Sequence, residues 1–171
     1  MHVLFRIGAD FEAIAKEYRL LASDLRDWRA AWRAILPRLA AGLQAVWFSA
    51  GAELGERWPE LKPETVRRKE REGRGRSMLL YTERLLRTIS SPTRGKRSLT
   101  KKRVAFGPKD RYAFVQHYGS KERGIPPRPF IGITKTMEGD ITTLMDAHAR
   151  AVIAKAEQKI ALLCAASQRG S

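Results

Sequence analysis

The sequence predicts an α+β fold: a small antiparallel sheet flanked by long helices, with an extended N-terminal helical region and a C-terminal helix. Three observations lead there. Apolar residues recur at steps of three and four over much of residues 10–57, and again from about residue 135 to 166. Between these stretches, residues 58–134 hold short extended runs broken by Pro and Gly, the pattern of turns, short helices and a small sheet. At 171 residues the chain fits a single domain, 1–171, made of a helical arm, a basic α+β middle and a C-terminal helix.

Residues 2–8 alternate Val3, Phe5 and Ile7 and predict a short strand with one buried face. Asp10 is placed to cap a following helix, with Glu12 in its first turn. From there Phe11, Ile14, Tyr18, Leu21, Leu25, Trp28, Trp32, Ile35 and Leu39 form a heptad-like stripe. Pro37 interrupts it, because proline has no amide donor and clashes with the preceding turn; either one kinked helix or two helices meeting near residue 36 is expected. Trp58 to Pro63 is a break, after which Pro63 opens a short helix running to about Arg71. Residues 73–77 are a basic Gly/Arg loop. Thr82 is placed to cap a helix carrying Leu85, Leu86 and Ile89 on one side. A strand is expected over Arg103 to Phe106, ending at Gly107 and Pro108. The last helix carries Met137, Ile141, Leu144, Met145, His148, Val152, Ala156, Ile160 and Leu163 on its apolar side.

Motifs for catalysis or metal binding do not assemble in this pattern. His2, His117 and His148 are scattered, and no His-x-x-x-His or paired carboxylate accompanies them. His148 falls on the apolar stripe, where a packed, hydrogen-bonded ring is expected. A single Cys164 precludes an intrachain disulfide, and its apolar neighbours predict a buried, inert thiol. Glu70, Glu72 and Asp110 match no metal template, and Gly73 and Gly75 lack the lysine of a phosphate loop. No catalytic residue, cofactor or metal site is predicted. No run of 18 or more apolar residues occurs, so no membrane partner is predicted; nor does the N-terminus have a signal-peptide pattern. Pro126 to Pro129 has PxxP spacing, open to an SH3-like groove, but reads foremost as a stiff extended strap.

Charge is the strongest bulk signal. The net charge is +15, and residues 57–128 alone hold 21 Lys and Arg against 7 Asp and Glu, a net of +14. So local an excess favours an anionic partner, whether nucleic acid, an acidic protein surface or a membrane face, over a solvated surface that only keeps the protein soluble. Arg94, Lys96, Arg97, Lys101, Lys102 and Arg103 are expected to form one exposed basic hairpin.

A resemblance adds to this reading. In order along the chain come Gly55-x-x-Trp58-x-x-Leu61, then Leu79-Leu80-x-Thr82-x-x-Leu85, then Val104-Ala105-Phe106-Gly107. Tyr112-Ala113-x-x-Gln116-His117-Tyr118-Gly119 and Ile125-Pro126-Pro127-Arg128-Pro129-Phe130 follow. Over residues 10 to about 150 this series resembles the Mu-like phage virion morphogenesis family of tail-completion proteins. It departs from the family pattern in the order Gln116-His117, where His-Gln is usual, and in Glu83, where the family has Gly. The resemblance implies a non-enzymatic structural subunit of a tailed bacteriophage, located in the virion at the neck or head–tail junction and assembled in the host cytoplasm. Its implied partners are itself, in a homo-oligomeric ring of about six or twelve copies, and neighbouring connector, terminator or tail proteins. Packaged DNA in the lumen, held without base readout, is a further implied partner. The competing readings are a basic nucleic-acid-binding protein and a phage nuclease. Trp28, Trp32, Trp58, Tyr112, Tyr118, Arg128 and Phe130 are expected to be core or interface anchors, with Trp58, Tyr112, Tyr118 and Phe130 expected in the core first.

Overall fold

The computed structural model describes residues 8–74, 78–79, 84–91 and 93–169. The strand expected over residues 2–8 lies outside them except for Gly8, which opens a helix, and the expected cap Thr82 is also outside. The helices are α1 (Gly8–Asp24), α2 (Arg29–Phe48), α3 (Pro63–Arg71), α4 (Arg84–Ile89), α5 (Arg111–Tyr118) and α6 (Lys135–Arg169), and a 3-10 turn covers Ala52–Leu54. Strands β1 (Lys96–Leu99) and β2 (Val104–Gly107) pair antiparallel, Lys96 opposite Gly107 and Leu99 opposite Val104. The fold is α+β, as expected, and among the described residues the sheet is a single hairpin.

The long helices form an antiparallel hairpin. At 35 residues α6 runs about 52 Å, and both α1 and α2 pack along it. Its N-terminal end sits where Met137 closes on Gly42, a spot with no room for a β-carbon. Midway, His148 Nε2 lies 3.1 Å from the Asp27 carbonyl and its ring packs on Trp28. Further out, Lys159 Nζ reaches Glu17 at 3.3 Å. The apolar stripe read on α6 is the face turned inward: Met137 and Ala156 are buried, and Ile141, Leu144, Met145, Val152, Ile160 and Leu163 are half-buried.

Two helices do replace one in the N-terminal arm, but they do not meet near residue 36. Pro37 lies inside α2. Pro37 and Arg33, whose carbonyl loses its amide partner, are both exposed, where solvent can satisfy that carbonyl, and the helix continues. The break falls at residues 25–28. There the Trp28 amide leaves the helical ladder to donate to the Lys101 carbonyl at 2.9 Å, while Asp27 accepts from the Arg29 amide (3.2 Å) and the Arg29 guanidinium (2.8 Å). The corner is thus made by a residue 73 positions away, which no local pattern announces. Helix α1 also begins at Gly8, two residues ahead of the expected cap Asp10.

The core lies where α2, α4, α5 and the start of α6 converge, on Leu43, Val46, Trp47, Trp58, Leu85, Ile89, Ala113, Phe130 and Met137. Trp47 stands at its centre, edge-on to Trp58 (centroids 5.8 Å apart) and to Phe130 (5.4 Å). Cys164, expected to be buried, is exposed on distal α6. The inward face passes through Ile160 and Leu163, so the next position along the helix turns away. Among the described residues, no helix is long and apolar enough to cross a membrane.

Candidate functional site

The proline strap expected at Ile125 to Phe130 is extended and clamped from two sides. From one side, the Trp58 indole Nε1 donates to the Pro129 carbonyl at 2.7 Å. The Arg128 guanidinium returns the contact through Nε and Nη2, donating to the Pro59 carbonyl (3.2 and 3.0 Å) and through Nη2 to that of Glu60 (3.2 Å). From the other, α5 receives the two amides of residues 126–130: Arg128 N donates to the Gln116 carbonyl (2.9 Å) and Phe130 N to His117 Nδ1 (3.3 Å). Pro126, Pro127 and Pro129 have no amide, so every backbone donor of residues 126–130 has a partner.

His117 is therefore an acceptor at Nδ1 and holds its proton on Nε2. Burial pushes its pKa below the ordinary imidazole value. Gln116, one position earlier, is the side chain that is fully buried, so the reversed order of the pair puts the amide inside and the ring half-way out. Gly119 makes the reversal between α5 and the strap possible. Its φ is +78°, and a β-carbon there would stand 2.8 Å from the Ile125 carbonyl. That turn is closed by paired bonds between Ser120 and Ile125 (2.8 and 2.9 Å).

Of the expected anchors, Trp58, Arg128 and Phe130 are buried, Trp28 and Trp32 are half-buried along α6, and two are corrected from the core. Tyr112 and Tyr118 are 57% and 65% exposed. Both lie on α5, a helix the sequence reading did not assign, whose buried face is taken by Ala113 and Gln116. With Tyr118 stands Phe114, 67% exposed, their rings 4.7 Å apart; Ile131 borders the same shallow pocket, and it and Ile133 are exposed as the chain leaves the strap. Phe114, Ile131 and Ile133 were missed as surface residues; the spacing of Phe114 and Tyr118, one helical turn apart, is the signal that would have found them. Phe114, Tyr118 and Ile131 together make an exposed apolar face, of the kind typical of contact surfaces.

The cations expected in one hairpin are brought together there. Arg97 is on β1, Lys101 and Lys102 form the hairpin tip, and Arg94 and Arg103 flank the strands; the side chains of all five are exposed. Lys96 begins β1, and its side chain lies outside the described residues. The tip is closed by Thr100 N donating to the Arg103 carbonyl at 2.8 Å and is moored to the α1–α2 corner by the Trp28–Lys101 bond. A two-stranded ribbon is marginal alone; here backbone docking holds it and leaves the charges free to face solvent. Glu72 and Asp110 do not gather into a cation site with Glu70: Glu72 pairs with Arg74 (3.1 Å) and Asp110 with Arg84 (2.8 Å).

The profile of the phage virion morphogenesis family matches residues 9–150. The chain belongs to the phage virion morphogenesis family. The match spans α1 to the middle of α6, so the clamped strap, the exposed aromatic helix and the basic hairpin all lie within the family domain. No curated protein and no solved structure matches the chain. Family membership supports a structural or assembly role for this bacteriophage protein.

Proposed function

We propose that the chain is a non-enzymatic virion subunit acting in head–tail joining or tail completion, as part of an oligomeric neck ring of about six or twelve copies. The observation that carries this reading is the exposed apolar face of Phe114, Tyr118 and Ile131, centred on a helix locked to the core and strap by Gln116 and His117. A rigid, pre-ordered apolar face suits a subunit whose work is surface contact, because little ordering cost remains when a neighbour covers it. The basic hairpin then meets either passing DNA, through phosphate contacts without base readout, or an acidic face of a neighbouring connector, terminator or tail protein.

The test is genetic and structural. Neutralising Arg94, Lys96, Arg97, Lys101, Lys102 and Arg103 together is expected to abolish particle joining or DNA retention while the purified subunit stays folded. Normal infectious particles from that mutant would sink the role given to the hairpin. Ring-shaped particles in negative stain, lost on Phe114→Ser with Tyr118→Ser, are expected for the oligomer; a monomer at all concentrations refutes it. The hairpin also favours a second reading, a protein that binds nucleic acid for its own sake. A salt-dependent gel shift by the isolated subunit, without rings, is the outcome that selects it.

A further inference from the structure

Behind the strap lies a cleft of about 610 Å³ between α3, α5 and the turn before Ile125. Its walls include Leu61, Leu79 and Ile125, and its charged lining is Lys62, Arg68, Lys69 and Arg128. No Asp or Glu lines it among the described residues. Arg128 is only 6% exposed, and its partners among the described residues are the backbone carbonyls of Pro59 and Glu60, reached through Nε and Nη2. A guanidinium fixed in this way, with backbone carbonyls and no carboxylate for partners among the described residues, keeps a net charge that an anion in the cleft would offset. Burial lowers the pKa of both Arg128 and Lys69, the mark of charges withdrawn from water.

We propose that this cleft captures an acidic, partly apolar peptide segment of a partner protein, a carboxylate facing Arg128 and apolar side chains against Leu61, Leu79 and Ile125. The choice of peptide over nucleic acid follows from the lining. A phosphate backbone is tracked by mobile, solvated cations and stacked aromatics. Here the central cation is immobilised in a concave, half-apolar recess, the form of site that takes a planar carboxylate in a chain flanked by apolar groups. The inference deepens the assembly reading by giving a neighbouring protein a point of attachment, distinct from both the apolar face of α5 and the basic hairpin.

The experiment uses the purified full chain and fluorescence anisotropy. The probes are a labelled peptide of about eight residues alternating Leu and Glu, its Leu–Gln counterpart, and an oligothymidylate of about twenty nucleotides. The Glu peptide is expected to bind at least about tenfold more tightly than the Gln peptide. Lys62→Glu, at the exposed rim, is expected to remove that preference, and Lys101→Glu with Lys102→Glu to leave it in place. Arg128→Met is expected to abolish binding, and because that residue also ties down the strap, Lys62→Glu carries the decision if the Arg128 variant unfolds. Equal binding of the two peptides, no binding of either, or equal loss in the hairpin variant overturns the proposal. Tighter binding of the oligonucleotide, lost on Lys62→Glu, overturns it in favour of a nucleic-acid cleft. Failure here with normal particle joining refutes the cleft alone; a peptide-binding cleft in a protein that forms no ring refutes the ring alone.

Discussion

Around Trp58 and Phe130 the chain is held by a handful of long-range contacts, each made once: an indole on a carbonyl, a guanidinium on two carbonyls, an imidazole accepting an amide. Along α1 and distal α6 the same chain is held by repetition. Ile14 and Leu21, two turns apart, and Leu25 just past the helix end are half-buried while Tyr18 between them is exposed, no described side chain of α1 is fully buried, and one cross-pair, Lys159–Glu17, adds to the seam. A structure made of unrepeated contacts fails at a point; one made of a repeated seam loses a fraction of itself per substitution. The strap region is thus suited to fixing surfaces in one geometry, and the arm to tolerating variation along its length.

The sharpest way to break this contrast is Phe130→Ala. The ring is fully buried against Trp47 and His117, so a loss of about 3–5 kcal/mol is expected in urea unfolding; a cost under about 1 kcal/mol would mean the strap is not part of the core. Trp58→Phe keeps most of the packing but strands the Pro129 carbonyl, and about 1–3 kcal/mol should be lost by the same measurement. In the arm, Leu21→Ala is expected to cost about 1 kcal/mol, because the side chain is only half withdrawn from water. If Leu21→Ala proved as damaging as Phe130→Ala, the distinction between the two regions would collapse.

Acid should loosen the strap before the arm. The folded state holds the His117 pKa below its ordinary 6.5, so the neutral ring is favoured by folding. That stability is complete above pH 6.5 and is lost as pH falls through the lower folded value. A protonated Nδ1 also opposes the Phe130 amide that now donates to it. Protection of the Phe130 amide against hydrogen exchange, taken relative to its intrinsic rate at each pH, is therefore expected to fall on acidification below pH 6.5, and a His117→Gln variant to lose that dependence. At the α1–α2 corner the Arg29 guanidinium, bonded to Asp27, holds the carboxyl at about 2 against its usual 3.8. The corner should keep its contacts until pH drops from about 4 toward 2, which chemical shifts of Arg29 would report. The smallest effect concerns Cys164: the native protein should react with a thiol reagent as fast as the urea-unfolded chain and lose no stability, since the thiol is exposed. Protection appearing only at high protein concentration would place the distal arm in a contact between copies.

Periodicity alone was enough for the long elements. The inward face of α6 is the stripe read from Met137 to Leu163, and Pro63 and Arg71 bound α3 as the N1 proline and composition suggest. Such features are local: a helix shows its buried face at every turn. The strap was legible too, because three prolines restrict their own backbone whatever surrounds them. What only the folded chain decided are matters of distant pairing. Pro37 stayed inside a helix because the Arg33 carbonyl that it orphans lies on an exposed turn, and the break moved to Trp28 because Lys101 supplied an acceptor there. Tyr112 and Tyr118 turned outward because α5 gave its inner face to Ala113 and Gln116. Arg128, one cation among many in a basic stretch, became a buried and clamped charge because Pro59 and Glu60 turned their carbonyls to it. Hydrophobic period and proline geometry are written residue by residue; which donor meets which acceptor is settled only when remote segments come together.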